Sequence, residues 1–130
     1  MRPSLTFWIL LAILGALLYA LVVPRVGGGP SARLSATRAD IASIKVILDQ
    51  FRLDTGSYPR SSNGLVELVR QASGTTNWHG PYLEFTPMDP WGDPYIYSYP
   101  GKHNPNSYDL MSCGPDGKAG TDDDIGNWTK

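Results

Sequence analysis

The N-terminal part of the chain contains one uninterrupted apolar stretch. The 19 residues from Leu5 to Val23 carry no charge. As an α-helix they would extend about 28 Å, close to the thickness of the hydrocarbon core of a bilayer. The apolar part of a cleavable signal peptide, which is the alternative, is usually about 7–15 residues long and ends at a small-x-small site. The sequence therefore favours a retained transmembrane helix within residues 1–24.

The remaining residues, 25–130, suffice for one small domain. Cys113 is the only cysteine, so no disulfide can form within the chain, and buried apolar side chains must hold the fold together. The charges are balanced, with 11 Lys and Arg against 12 Asp and Glu. Nucleic-acid binding requires concentrated positive charge, and we therefore expect no nucleic-acid partner.

A hinge from Pro24 to Pro30, with three consecutive glycines, separates the apolar stretch from a second helical pattern. An amphipathic helix is predicted over about 31–54, with Ser31 as its N-cap and Gly56 in the left-handed conformation at its end. Its apolar stripe is expected to pack on the domain's own sheet. Residues at spacings of three, four and seven form this stripe: Leu34, Ile41, Ile44, Ile47, Leu48 and Phe51.

Residues 55–94 are expected to form a loop-rich region with one short helix. Ser61 and Ser62 are placed to cap that helix, which is predicted to end near Ala72. Prolines are frequent in the rest of the region and exclude a longer helix. The segment Pro90–Asp93 has the composition of a tight turn.

Residues 95–130 are expected to form a sheet followed by an acidic loop. The alternation of residues 95–99 predicts a strand, and residues 107–112 are predicted to pair with it antiparallel. Aromatic residues are frequent from Trp78 to Tyr99. Core packing explains them better than a ligand-binding role, because a small domain without disulfides needs large buried side chains.

The C-terminal segment Cys113–Trp128 reads CGPDGKAGTDDDIGNW and combines four carboxylates with four glycines. The carboxylates of such a loop repel one another, and its glycines leave the backbone free to adopt many conformations. A bound calcium ion would offset this repulsion because it binds six to eight oxygens at about 2.3–2.6 Å. The pattern predicts that one ion draws together Asp116 on one limb and Asp123 and Asp124 on the other.

An acidic, glycine-rich terminus can also be a solvated tail, and the segment has no EF-hand register. Ile125 and Trp128 argue against a tail, because disordered segments contain few large apolar residues. They are expected to anchor the loop on the core. Cys113 is expected to pack as a small apolar residue, so that only its carbonyl is available to an ion.

The order of the motifs resembles that of the major pseudopilins of type II secretion systems. The matching motifs are DTGSYP at 54–59, NGL at 63–65, GPYL at 80–83, DPWGDPY at 89–95, GPDG at 114–117 and TDDDIGNW at 121–128. The resemblance covers about residues 22–128. It implies an α+β, type IV pilin-like fold, in which a long N-terminal helix packs on a small antiparallel sheet with a C-terminal calcium loop.

The resemblance also implies a non-enzymatic, structural role. The chain is expected to assemble through its N-terminal helix with copies of itself, other pseudopilins and inner-membrane secretion components. It would cross the bacterial inner membrane once, with its globular domain in the periplasm, and help to drive protein export across the outer membrane. The implied calcium ligands are the side chains of Asp116, Asp123 and Asp124 and the main-chain oxygens of Cys113 and Lys118.

The N-terminal sequence departs from the family's prepilin peptidase motif, which is a glycine, a phenylalanine and a glutamate four residues later. The chain has no Gly-Phe pair, and Phe7 or Thr6 stands at the glutamate position, depending on the alignment. In the family the glutamate fixes the register between subunits, because an unpaired charge in a membrane is costly. A membrane-tethered, extracytoplasmic calcium-binding module that does not enter filaments is therefore the alternative function.

No sequence pattern indicates an enzyme. His79 and His103 lie in loop-forming segments, and neither is marked as a base beside a nucleophile. A surface or loop role is the expectation for both.

Overall fold

The computed structural model describes residues 29–129. The predicted transmembrane helix, the boundary at residue 24 and most of the predicted hinge lie outside these residues. Among residues 29–129, no helix combines the length and the apolar character needed to cross a membrane. The elements in chain order are α1 (Pro30–Thr55), a 3-10 helix (Gly64–Leu68), β1 (Ile96–Ser98), β2 (Asp109–Ser112), a 3-10 turn (Gly114–Asp116) and β3 (Ile125–Gly126).

The long helix α1 confirms the predicted amphipathic helix. Its predicted N-cap is wrong, because Gly29 occupies the cap position and makes no side-chain bond, while Ser31 lies inside the helix. Pro30 explains the earlier start, since a proline at the first helical position has a favourable φ and loses no hydrogen bond there. Gly56 ends the helix as predicted, with φ 88° and its N–H donating to the carbonyl of Arg52 at 2.8 Å.

The core lies between α1 and the rest of the domain. Ile41, Ile44, Leu48 and Phe51 of the predicted stripe are buried, whereas Leu34 and Ile47 are half-buried. The stripe packs against buried residues of the other elements, namely Tyr58, Leu65, Leu68, Tyr95, Tyr108 and Leu110. The prediction that the stripe packs within its own domain is confirmed.

The short helix after α1 differs from its prediction. Only the 3-10 helix Gly64–Leu68 forms, and Asn63 rather than Ser61 or Ser62 precedes it. The Ser61 hydroxyl donates to the carbonyl of Tyr99 at 2.8 Å and accepts the N–H of the same residue at 2.6 Å. This long-range pairing removes Ser61 from the helix start, so the predicted cap is wrong.

The sheet has three antiparallel strands in the order β1-β2-β3. The two predicted strands form and pair, with Ile96 opposite Met111, although both are shorter than predicted. The third strand, β3, was not predicted. The predicted tight turn at Pro90–Asp93 is confirmed, because the Asp89 carboxylate accepts the N–H groups of Trp91 and Asp93 at 3.0 and 2.9 Å.

Most of the aromatic residues between 78 and 99 contribute to the core. Tyr95 is buried, and Trp78, Tyr82, Tyr97 and Tyr99 pack against the buried cluster. The prediction that these rings serve packing is confirmed.

Candidate metal centre

The acidic loop connects β2 to β3, and the pairing of these strands sets its two limbs. The first limb starts at Cys113, directly after Ser112 of β2, and the second ends at Asp124, directly before Ile125 of β3. Ser112 and Ile125 are paired across the two strands. The loop therefore leaves the sheet and returns to it at neighbouring positions.

The two limbs approach each other closely at Gly114 and Asp123. Gly114 has φ +65°, and a Cβ built on it would lie 2.4 Å from the carbonyl oxygen of Asp123 and 3.1 Å from its Oδ2. Any side chain at position 114 would push the limbs apart. Asp123 Oδ2 also accepts the N–H of Asp116 at 3.1 Å, which ties the limbs directly.

Hydrogen bonds to Asp123 favour its charged form. Its Oδ1 accepts the Thr121 hydroxyl, and this bond, followed by the amide of Asp116, brings the pKa of Asp123 below its ordinary value. The Thr121 hydroxyl also lies 3.1 Å from the carbonyl of Lys118. One hydroxyl thus connects two of the predicted ligand residues.

Asp124 and Asp116 are both held by main-chain donors of the loop. Asp124 Oδ2 accepts the N–H of Gly120 at 2.7 Å, and Asp116 Oδ1 accepts the N–H of Lys118 at 2.8 Å. The other oxygen of Asp124, Oδ1, is buried and has no hydrogen-bond partner within residues 29–129. A buried carboxylate oxygen without a partner is costly and calls for a donor or a cation.

The predicted ligands share one loop but are not preassembled. Within residues 29–129, no three side chains of the metal-binding types His, Cys, Asp and Glu are grouped as a ready-made site. Asp116 and Lys118 are exposed, whereas Asp123 and Asp124 are half-buried. The closely opposed limbs, the unpaired oxygen of Asp124 and the all-oxygen donor set fit a hard cation such as calcium. The ligand set itself stays a prediction.

Cys113 behaves as predicted, as a small buried residue. Only 6% of it is exposed. Burial raises the pKa of its thiol, and the negative charges of Asp124, Asp89, Asp93 and Asp116 act in the same direction. Both effects disfavour the thiolate, which is the form of cysteine that binds metals.

Two acidic residues near the loop were not singled out from the sequence. Asp93 Oδ2 would lie 3.2 Å from a Cβ on Gly117, so its charge adds to that of the loop. Asp89 is buried and accepts the Ser112 hydroxyl at 2.5 Å, while the hydroxyl oxygen accepts the N–H of Gly114 at 3.0 Å. Both belong to the tight turn before β1, and nothing in their local pattern indicates that the turn packs against residues 112–117.

The predicted anchoring on the core is confirmed for Ile125, whereas Trp128 packs on an exposed loop residue outside the buried cluster. Ile125 is half-buried and packs against the core. Trp128 stacks on His103, with 3.9 Å between ring centroids and 3° between ring planes. The acidic loop is thus held on the sheet and is not a free tail.

The described part of the chain is thus a long helix packed on a small three-stranded antiparallel sheet, with an acidic loop between the last two strands. A search of known families matches residues 26–128 to the family described as type II secretion system (T2SS), protein G. The chain belongs to this family. The predicted α+β fold class and the resemblance are therefore confirmed.

Individual relatives support the same assignment. The type II secretion system core protein G of Pseudomonas aeruginosa is 43% identical over 128 residues, which cover 92% of this chain and 88% of that protein. The protein of the same name from Escherichia coli K12 is 38% identical, covering 95% and 87%. The crystal structure of the major pseudopilin from the type 2 secretion system of enterohaemorrhagic E. coli matches with a TM-score of 0.69 and 36% identity, covering 84% of this chain and 98% of that one.

Proposed function

We propose that this chain is a structural subunit of a type II secretion pseudopilus and that a bound calcium ion completes its globular domain. Family membership over residues 26–128 is the observation that carries the structural role. A relative of known structure is described as a major pseudopilin, and the aligned part covers nearly all of it. Membership of that family supports a non-catalytic, assembly-type role.

The calcium proposal places one ion between the limbs of the acidic loop. Asp116, Asp123 and Asp124 would supply carboxylate oxygens, and Cys113 and Lys118 would supply main-chain oxygens. The unpaired Oδ1 of Asp124 supports this arrangement, since a cation satisfies a buried carboxylate oxygen that has no donor. The ion would offset the net negative charge of the loop, which contains four aspartates and one lysine, and would join the two limbs.

The proposed location is the bacterial inner membrane, with the globular domain in the periplasm. The uncharged stretch from Leu5 to Val23 supports a single membrane-spanning helix. We propose that subunits associate through this helix, with copies of themselves, other pseudopilins and inner-membrane secretion components as partners. The lack of an acidic residue in the same stretch favours the alternative, a tethered calcium-binding module that stays outside filaments.

Gene deletion in the native host tests the structural role. Deletion should abolish type II secretion, and the full-length gene should restore it. Engineered cysteine pairs within residues 5–23, in a Cys113→Ser background, should yield ladders of cross-linked multimers. Secretion that continues without the gene would contradict the role in export, and cross-linking that yields no multimers would favour the tethered module.

A further inference from the structure

We propose that His103 is a positioning residue for the calcium loop. By joining Asp109 of β2 to Trp128, which follows β3, it holds Asp123 and Asp124 in the place that the ion requires. We call the three residues His103, Asp109 and Trp128 the C-terminal clasp. The inference rests on the calcium site proposed above and adds a residue outside the ligand set.

The clasp is needed because β3 is short. Only two residue pairs join β3 to β2, Met111 with Gly126 and Ser112 with Ile125. So few pairs provide little cooperative hydrogen bonding, and a short strand of this kind depends on additional contacts. The register of β3 nevertheless fixes the second limb of the loop, because Asp124 directly precedes it.

Asn127 extends the pairing by one position beyond β3. Its main-chain N–H donates to the carbonyl of Leu110 at 3.0 Å, and its side-chain oxygen accepts the N–H of Leu110 at 3.0 Å. Its side-chain nitrogen donates to the carbonyl of Tyr108 at 3.0 Å. These bonds hold the chain beside β2 between the end of β3 and Trp128.

Asp109 fixes His103 to the sheet. The carboxylate is buried, and its Oδ2 lies 2.8 Å from the main-chain nitrogen of His103 and 3.0 Å from the ring Nδ1. The other oxygen accepts the N–H of Asn104 at 3.0 Å. A Cβ on Gly101 would lie 2.4 Å from the same oxygen, so the loop closes tightly around the carboxylate.

Trp128 contacts the His103 ring and lies close to the backbone of β3. Its ring is parallel to that of His103 at 3.9 Å. A Cβ on Gly126 would lie 2.5 Å from the Trp128 ring, so the ring also packs closely on β3. The indole therefore connects His103 directly to β3.

The clasp and the ion act at opposite ends of the same pair of strands. The ion closes the loop between β2 and β3, and the clasp closes the end where Asp109 meets Trp128. With the clasp formed, the second limb is already ordered when calcium binds, so less conformational freedom is lost on binding. By linkage, bound calcium must stabilise the stack of His103 on Trp128 to the same extent.

Calcium titration of the full chain in detergent tests the inference. Replacing His103 by alanine should weaken calcium binding about tenfold, a coupling within the usual range between linked sites. The control is His79→Ala, which removes the only other histidine, an exposed one whose ring nitrogen lies 3.8 Å from Asp54. This control should bind calcium as tightly as the wild type.

Two larger substitutions separate positioning from a loss of folding. His103→Phe keeps the main-chain N–H that donates to Asp109 and a flat ring that can stack on Trp128, but loses the ring nitrogen, so it should bind calcium more tightly than His103→Ala, whereas His103→Leu should bind as weakly as His103→Ala. Wild-type affinity in both the alanine and the leucine variant would overturn the role of His103 and leave the calcium site intact. An absence of calcium binding by the wild-type chain would overturn the calcium site and the inference together.

Discussion

Replacing Gly114 with alanine tests whether the two limbs of the acidic loop must close on each other. The new Cβ would lie 2.4 Å from the carbonyl oxygen of Asp123, a distance that real Cβ contacts do not tolerate. Because the atom it meets belongs to the main chain, the second limb has to move. Asp123 then leaves its place opposite Asp116, and the calcium site opens.

Gly120→Ala is the matched control within the same loop. Gly114 and Gly120 both have positive φ, +65° and +89°, so each alanine carries a backbone strain of about 1–2 kcal/mol. A Cβ on Gly120 meets nothing within 4 Å. The two variants therefore differ in the displacement of Asp123 and not in the kind of backbone strain.

The size of the effect follows from linkage between binding and stability. At a calcium concentration a hundredfold above Kd, binding stabilises the native state by about 2.7 kcal/mol. For a domain of roughly 100 residues, about 4–8 °C in Tm corresponds to 1 kcal/mol, so calcium should raise Tm by about 10–20 °C. Gly120→Ala should keep this calcium-induced rise, and Gly114→Ala should lose most of it.

The assay is thermal unfolding of the full chain in detergent, followed by circular dichroism in excess calcium and in chelator. Comparing each variant with itself under the two conditions cancels the backbone strain. If Gly114→Ala keeps the full calcium-induced rise in Tm, the limbs do not need to close on each other and the reasoning is refuted.

Three further predictions concern the fold. Leu48→Ala should lower the free energy of unfolding by about 2–5 kcal/mol in denaturant titrations because Leu48 is fully buried, whereas Leu53→Ala, at a residue 79% exposed, should change it by less than about 0.5 kcal/mol. Ser61→Ala should cost about 1 kcal/mol because its hydroxyl makes two hydrogen bonds to the main chain of a distant residue, and Ser62→Ala should be nearly neutral in the same titration. Burial alone would raise the pKa of Asp109, but four hydrogen bonds bring it below its ordinary value. Its stabilising contribution should therefore be complete above about pH 4 and be lost as the pH falls through the lower pKa of the folded state, so Asp109→Asn should flatten the acid side of the stability profile; an unchanged profile would exclude this role.

Local patterns predicted α1 well because its stripe repeats at helical spacing and its end carries Gly56. The N-cap was misplaced by two residues, at Ser31 instead of Gly29, because a proline at the first helical position competes with a serine cap. The strand β3 escaped prediction because Ile125 and Gly126 show no alternation. Their strand conformation comes from pairing with β2 and not from their own sequence.

The sequence likewise predicted only part of the candidate site. The acidic residues were selected by their density, which is a local property of the chain. The approach of Asp93 to Gly117 and the stack of His103 on Trp128 join segments about 25 residues apart and leave no local signal. Ser61 shows the same limit, because its hydroxyl bonds to a residue 38 positions away.

A calorimetric titration of calcium into the full chain in detergent, for the wild type and two aspartate variants, tests the proposed calcium-dependent subunit most directly. The wild type should bind one ion per chain, Asp124→Asn should bind none, and Asp122→Asn, outside the predicted ligand set, should bind as the wild type does. A wild-type chain that takes up no calcium, or an Asp124→Asn variant with undiminished affinity, would contradict the proposed calcium site. The proposal that a bound ion completes the globular domain would then fail as well.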